Sequence, residues 1–122
     1  IIENNKVLLN REMKSYGHND WMFSGGRIEE YDESLEGTCI REAKEELGID
    51  VTPGKKLKTI ELAHRGDKWI LHHYLATRAG EIRPADNVVN WGWHDIHSLP
   101  EPCAENVREV IQDYIDNHLS ET

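Results

Sequence analysis

The sequence predicts an α/β fold, a mixed β-sheet held between helices, in one domain over 1–122. Three observations carry that reading. An amphipathic helical stretch with its own stop and start signals occupies 35–47, and a second occupies 104–119. The segments around them are short β-branched, aromatic and apolar runs separated by turn residues.

In chain order, Asn4-Asn5 suits a tight hairpin turn, because Asn tolerates positive φ. Val7-Leu8-Leu9-Asn10-Arg11 is the outgoing strand, with Ile1, Ile2 and Glu3 as its partner. Position 1 is Ile rather than Met, and the expectation is that several residues of an earlier strand precede it. Residues 14–20 (KSYGHND) read as an exposed loop. Trp21-Met22-Phe23 leads into Ser24-Gly25-Gly26, a bend where backbone can approach a ligand closely.

Ser34 is the expected N-cap of the first helix and Gly48 its left-handed C-cap. Leu35, Cys39, Ala43 and Leu47 form its apolar face, with Ile40 beside it, and the acidic stripe faces away from the core. Gly37 costs this helix about 1 kcal/mol relative to Ala. Beyond it, Pro53-Gly54 predicts a turn, 56–64 a strand, Arg65-Gly66-Asp67 a turn and 69–78 a second strand. His72 and His73 would then point to opposite faces, so a shared metal is not expected. A short strand over 81–83, a loop over 84–87, a strand over 88–93 leading to His94 and a turn over 95–99 follow. The second helix turns Val107, Val110, Ile111, Tyr114, Ile115 and Leu119 toward the core.

The formal net charge of −9 argues against gripping a nucleic-acid backbone. No run approaches a membrane span and no signal peptide is visible. Two cysteines, Cys39 and Cys103, are too few for a disulfide framework and fit free thiols in a reducing cytosol. The expected partner is therefore a small molecule in the cytoplasm, with no nucleic acid and no membrane; a homodimer stays open.

The chemistry concentrates in 25–49, GGRIEEYDESLEGTCIREAKEELGI. On a helix Glu42 and Glu46 lie one turn apart, Glu45 lies three residues from Glu42, and Arg41 lies one turn from Glu45. Like charges at that spacing repel, so a helix with structural duties alone gains nothing from them. A hard divalent cation is the expected compensation, since Mg²⁺ and Mn²⁺ take oxygen ligands and sit between carboxylates and phosphates.

This stretch resembles the signature of the Nudix hydrolases, G-x5-E-x7-R-E-U-x-E-E-x-G-U, where U is bulky and apolar. Over 26–49, Arg41, Glu42, Glu45, Glu46, Gly48 and Ile49 match it in register, with Ala43 a small substitute at the first U. Glu33 stands at the required distance before Arg41, but six residues instead of five separate it from Gly26. That one-residue insertion falls in the loop before the helix. The resemblance implies an α/β/α sandwich over nearly the whole chain, and a metal-dependent hydrolase of a nucleoside diphosphate linked to another group. It also implies Mg²⁺ or Mn²⁺ bound by Glu42, Glu45, Glu46 and a backbone carbonyl near Gly25. Arg41 would orient a carboxylate, and Glu33 would support the helix start through an ion pair with Arg41.

Family members take the general base from a box glutamate or from a downstream loop. Asn87 falls where a loop carboxylate often stands and cannot take a proton; neighbouring Asp86 can, and Glu42 is the expected base. Trp21 and Phe23, with Gly26, border the bound phosphates, where the two aromatics either stack a base or cover the core. His64 stands where branches acting on ADP-ribose tend to have proline, and Gly66 to Lys68 lack the tyrosine of dinucleoside polyphosphate branches. By elimination the expected substrate is a nucleoside triphosphate, giving NMP and pyrophosphate. The alternatives are ADP-ribose or another nucleotide sugar, or a non-catalytic nucleotide-binding regulatory domain, for which all three box carboxylates would be superfluous.

Overall fold

The computed structural model describes residues 1–14, 17–18, 20–64 and 66–119. Strands β1 (Ile2–Glu3), β2 (Lys6–Lys14) and β3 (Gly17–His18) precede helix α1 (Leu35–Leu47). Then come β4 (Asp50–Lys56), β5 (Ile60–His64), β6 (Asp67–Leu71), β7 (Tyr74–Ala79), β8 (Val88–Asp95) and α2 (Glu105–Asn117). The turn from β1 to β2 has Asn4 and Asn5 at φ 53° and 62°, the pair of positive values that matches the twist of a two-residue hairpin.

β2 is the central strand. It pairs antiparallel with β8 from Lys6 opposite Asp95 to Glu12 opposite Val88, and on its other edge with β1. Its side chains alternate between two cores, the signature of a strand covered on both faces. Val7 and Leu9 pack with Trp21, Ile96 and the α2 residues Val107, Ile111 and Tyr114. Leu8 packs with Ala43 and Leu47 of α1 and with Ile49 and Val51. Each fully buried side chain of this size contributes roughly 1.5–3 kcal/mol. The helices thus lie on opposite faces, as the implied α/β/α sandwich requires. Named strands pair antiparallel; the sheet is mixed through a parallel bridge between Trp21 and Cys103.

Several boundaries differ from expectation. Pro53-Gly54 is no turn but lies inside β4, where the register against β7 shifts between Pro53 and Lys56. A bulge is where a strand tolerates the missing proline N–H. The expected strand over 69–78 is broken: β6 pairs with β5 and β7 with β4, so the two ribbons are halves of one hairpin bent at His72-His73. At the bend Leu57 N–H donates to the His73 carbonyl at 2.8 Å, and His73 Nδ1–H donates to the Lys58 carbonyl at 2.8 Å. That fixes Nε2 as the acceptor for Asn106 Nδ2, 3.2 Å away on α2. The two histidines therefore do not project from a regular strand. Residues 81–83 form no strand, because the Arg83 and Ala85 N–H groups donate instead to the Leu47 and Glu46 carbonyls at the end of α1. Part of the expected loop at 14–20 is strand β3, while positions 15, 16, 19 and 65 fall outside the described residues. Both cysteines are free and half-buried. Among the described residues no helix is long and apolar enough to cross a membrane.

α1 begins and ends where its caps dictate. Ser34 accepts from Gly37 N–H at 2.9 Å, and Gly48 closes the helix at φ 67°. A Cβ on Gly48 would come within 2.9 Å of the Arg83 carbonyl oxygen. Gly48→Ala is therefore expected to cost about 2 kcal/mol, from the left-handed backbone plus displacement of that contact. Gly66, at φ 82° with open space around it, should cost about 1 kcal/mol on the same change. Urea midpoints at constant m measure both, and equal losses would contradict the steric part.

Candidate active site

Arg41 organises the loop that precedes its own helix. Its Nε and Nη2 donate to the two Asp32 carboxylate oxygens at 2.9 and 3.0 Å, a bidentate fork. Nη2 also reaches the Arg27 carbonyl at 2.8 Å, while Nη1 donates to Glu42 at 2.9 Å and Glu45 at 3.1 Å. A guanidinium has five N–H donors. All are committed within the protein, so Arg41 orients carboxylates and has none left for a ligand. The Tyr31 ring lies 5.2 Å from the guanidinium carbon.

The anchoring acid is Asp32, which corrects the expected role of Glu33. Asp32 is held by Arg41, by the Glu29 N–H at 2.8 Å and by Thr38 Oγ1 at 3.1 Å, whereas Glu33 is exposed. The Arg41 fork, then the Glu29 N–H, keep the Asp32 carboxyl well below the usual carboxylate range. The same fork raises Arg41 further above its ordinary value. Five residues separate Gly26 from Asp32, so the inserted residue preserves the spacing counted from the glycine and breaks the spacing counted from Arg41. That count was the available signal.

The box carboxylates have three different environments. Glu45 is 56% exposed beside Arg41. Glu42 lies against the backbone of Gly26, where a Cβ would come within 2.3 Å of Glu42 Oε1, so this approach needs glycine. Glu46 is 8% exposed, against the expectation that the whole acidic stripe faces away from the core, and accepts from Gly25 N–H at 3.2 Å. Burial raises the Glu46 pKa, as do the charge of Glu12 and a hydrogen bond with it, and Glu42 adds to the shift; the Gly25 N–H opposes them. Glu12 was not singled out in the sequence, yet strand alternation puts it on the face of Leu8 and so toward α1.

The donors fit a hard divalent cation chemically. They are oxygen only: Glu42 is paired with Arg41, and Glu46 is buried with Glu12 and Glu42 near enough to raise its pKa. Arg41 bridges Glu42 and Glu45 through Nη1, and the Gly25 N–H holds Glu46. Among the described residues no three His, Cys, Asp or Glu side chains converge as a ligand set.

The two aromatics separate. Trp21 is buried in the α2-side core with its ring 4.5 Å from that of His94, so of its two expected places it takes the one in the core rather than the one beside a nucleobase. Phe23 is half-buried, edge-on to His73 at 5.6 Å, and with Ser24 lines an apolar pocket of about 100 Å³. Burial lowers the His73 pKa, in keeping with the neutral ring its partners require. Asp86 is exposed in the turn before β8, and the Asn87 carbonyl accepts from Met13 N–H at 2.7 Å, next to Glu12.

A family profile described as the NUDIX domain matches residues 1–114. The 8-oxo-dGTP diphosphatase of Proteus vulgaris is 40% identical over 57 residues, 47% of this chain and 50% of that protein, so the matched stretch spans half of that relative. The low-salt glycan biosynthesis protein Agl8 of Haloferax volcanii is 30% identical over 115 residues, 90% of this chain and 72% of that protein. The MutT NUDIX hydrolase from Burkholderia pseudomallei superimposes with a TM-score of 0.83 at 26% identity, over 93% of this chain and 91% of that one.

Asp32→Asn should lower activity roughly 10–100-fold, the usual effect of removing a group that orients a ligand residue. Glu33→Gln should stay within about twofold of the parent, since Glu33 is exposed and among the described residues makes no ion pair with Arg41. Steady-state kinetics on the pair decide which acid anchors Arg41, and a larger loss at Glu33 would reverse the assignment.

Proposed function

The chain belongs to the Nudix hydrolase family, and on that premise we propose that it cleaves nucleoside triphosphates to the monophosphate and pyrophosphate with Mg²⁺ or Mn²⁺. The observation that carries this reading is buried Glu46, tied to the Gly25 backbone and close enough to Glu12 and Glu42 for their charges to raise its pKa. Glu42, Glu45, Glu46 and a backbone carbonyl near Gly25 would hold the ion. Bound there, a divalent cation neutralises phosphate charge and lowers the pKa of a coordinated water. The chain's own residues do the rest. Glu42 takes the proton of the attacking water, Arg41 keeps Glu42 and Glu45 in place, and the bare Gly26 backbone lets the Glu42 carboxylate pack against the glycine loop. Phe23 borders the nucleoside. The net charge of −9 supports a small nucleotide and no nucleic acid as the partner, and a cytoplasmic location belongs to the same reading.

The Proteus vulgaris relative, named for a nucleoside triphosphate, supports the triphosphate. A nucleotide sugar is the second reading, favoured by the glycan-biosynthesis relative that matches 90% of the chain. A panel of (d)NTPs, ADP-ribose and nucleotide sugars, assayed for phosphate and pyrophosphate release, separates them. A nucleotide sugar outperforming every triphosphate would reverse the order.

Hydrolysis should stop in excess EDTA, and Glu46→Gln should lower kcat by about 100-fold or more. The same substitution should raise the melting temperature in EDTA, because a neutral amide replaces a buried carboxylate facing two others. Turnover that survives EDTA would sink the metal-dependent reading. Glu42→Gln is expected to flatten the rising limb of the pH–rate profile, whereas Asp86→Asn should change the rate only modestly. If the Asp86 variant is the more damaged of the two, the base lies in the turn before β8.

A further inference from the structure

Asn10, on the central strand β2, is 2% exposed, and among the described residues its side-chain Nδ2 has no hydrogen-bond partner. A buried donor left without an acceptor costs the full penalty of its lost hydration, which an apolar side chain of similar shape avoids. Its surroundings suggest why the amide is there. Strand alternation sets Asn10 on the face of Leu8 and Glu12, the residues two before and two after it. Leu8 packs with Ala43 and Leu47 of α1, and Glu12 is close enough to Glu46 to raise its pKa. Asn10 therefore lies under α1, between an apolar contact and a carboxylate contact. Neighbouring chain closes the slot from both sides. Asn10 and Met22 exchange two backbone hydrogen bonds of 2.9 Å, and Trp91 of β8 stands opposite Asn10 on the other edge. Since the Asn10 N–H and carbonyl both point to Met22, its pair with Trp91 is of the kind without ladder bonds, in which side chains come closest.

We propose that Asn10 is a positioning residue for the buried carboxylates: with the divalent cation bound, one N–H of Nδ2 donates to Glu12 and the other to Glu46. An amide nitrogen carries two donors, one for each carboxylate, and brings no charge. A neutral donor suits this place, because a lysine or arginine would compete with the cation for the same oxygens. Held in this way, a carboxylate keeps one orientation toward the ion instead of several. The assignment rests on the hydrolase reading above, and adds a residue of β2 to a site drawn otherwise from α1 and its loop.

Mn²⁺ without nucleotide is the probe, titrated calorimetrically below the melting temperature of each variant. Asn10→Leu should weaken Mn²⁺ binding about tenfold or more. In EDTA the same variant should melt at or above the parent's temperature, because an unpaired buried donor has been removed. Asn10→Ala should lose as much Mn²⁺ affinity as Asn10→Leu and melt lower, since it leaves a cavity. A merely structural Asn10 predicts the opposite pattern, with both variants melting lower in EDTA and binding Mn²⁺ as the parent does. Parent-like affinity in either variant overturns the assignment and leaves the hydrolase reading standing. A parent protein that binds no Mn²⁺ and cleaves nucleotides in EDTA overturns the metal-dependent reading and this assignment with it.

Discussion

One guanidinium holds the catalytic half of this molecule in shape. Arg41 ties Asp32 and the Arg27 carbonyl from the loop to Glu42 and Glu45 on the helix. An exposed ion pair is worth little, because water screens it and the side chains lose freedom in forming it. Here the arginine side chain is 17% exposed and the aspartate 4%, and the geometry is a fork. The helix register and the loop conformation consequently depend on the same residue. Without that cation Asp32, Glu42 and Glu45 would face one another uncompensated, and the glycine backbone would lose its link to the helix.

Charge is divided unevenly as a result. The Arg41 side is balanced, while at Glu46 burial and the charges of Glu12 and Glu42 raise the carboxyl's pKa. A protein selected for stability alone would place an amide or an apolar residue at such a position. Retaining a buried acid there is the pattern expected where function opposes stability.

The helices were legible because their signals are local. Ser34, the apolar spacing and Gly48 fix α1 to the residue, and Asn4-Asn5 fixes the first hairpin. Pro53-Gly54 misled because a turn dipeptide and a bulge have the same composition, and only the distant partner β7 decides between them. His72-His73 misled for the same reason: the change of partner from β5 to β4 is a tertiary event. The one-turn spacing that brings Arg41 to Glu45, with Glu42 beside it, was legible. Asp32 was hidden by a count made from one end only, and Glu12 by its position on a strand that no local motif joins to α1. Trp21 could not be sorted from Phe23 by sequence, since both precede the glycines and both pack on the α2-side core, Trp21 buried in it and Phe23 half-buried at its edge.

The segment entering the glycine loop is clamped on both edges. Met22 and Asn10 exchange two backbone hydrogen bonds of 2.9 Å, Trp21 N–H donates to the Pro102 carbonyl at 2.9 Å, and Ala104 N–H donates to that of Trp21 at 3.1 Å. The far end is pinned at Asp32, and the middle at the Arg27 carbonyl. What could wander as one long span is thereby divided into two short tethers, each with few backbone conformations open to it. A ligand meeting such a loop has little chain left to immobilise, so more of its contact energy survives as affinity.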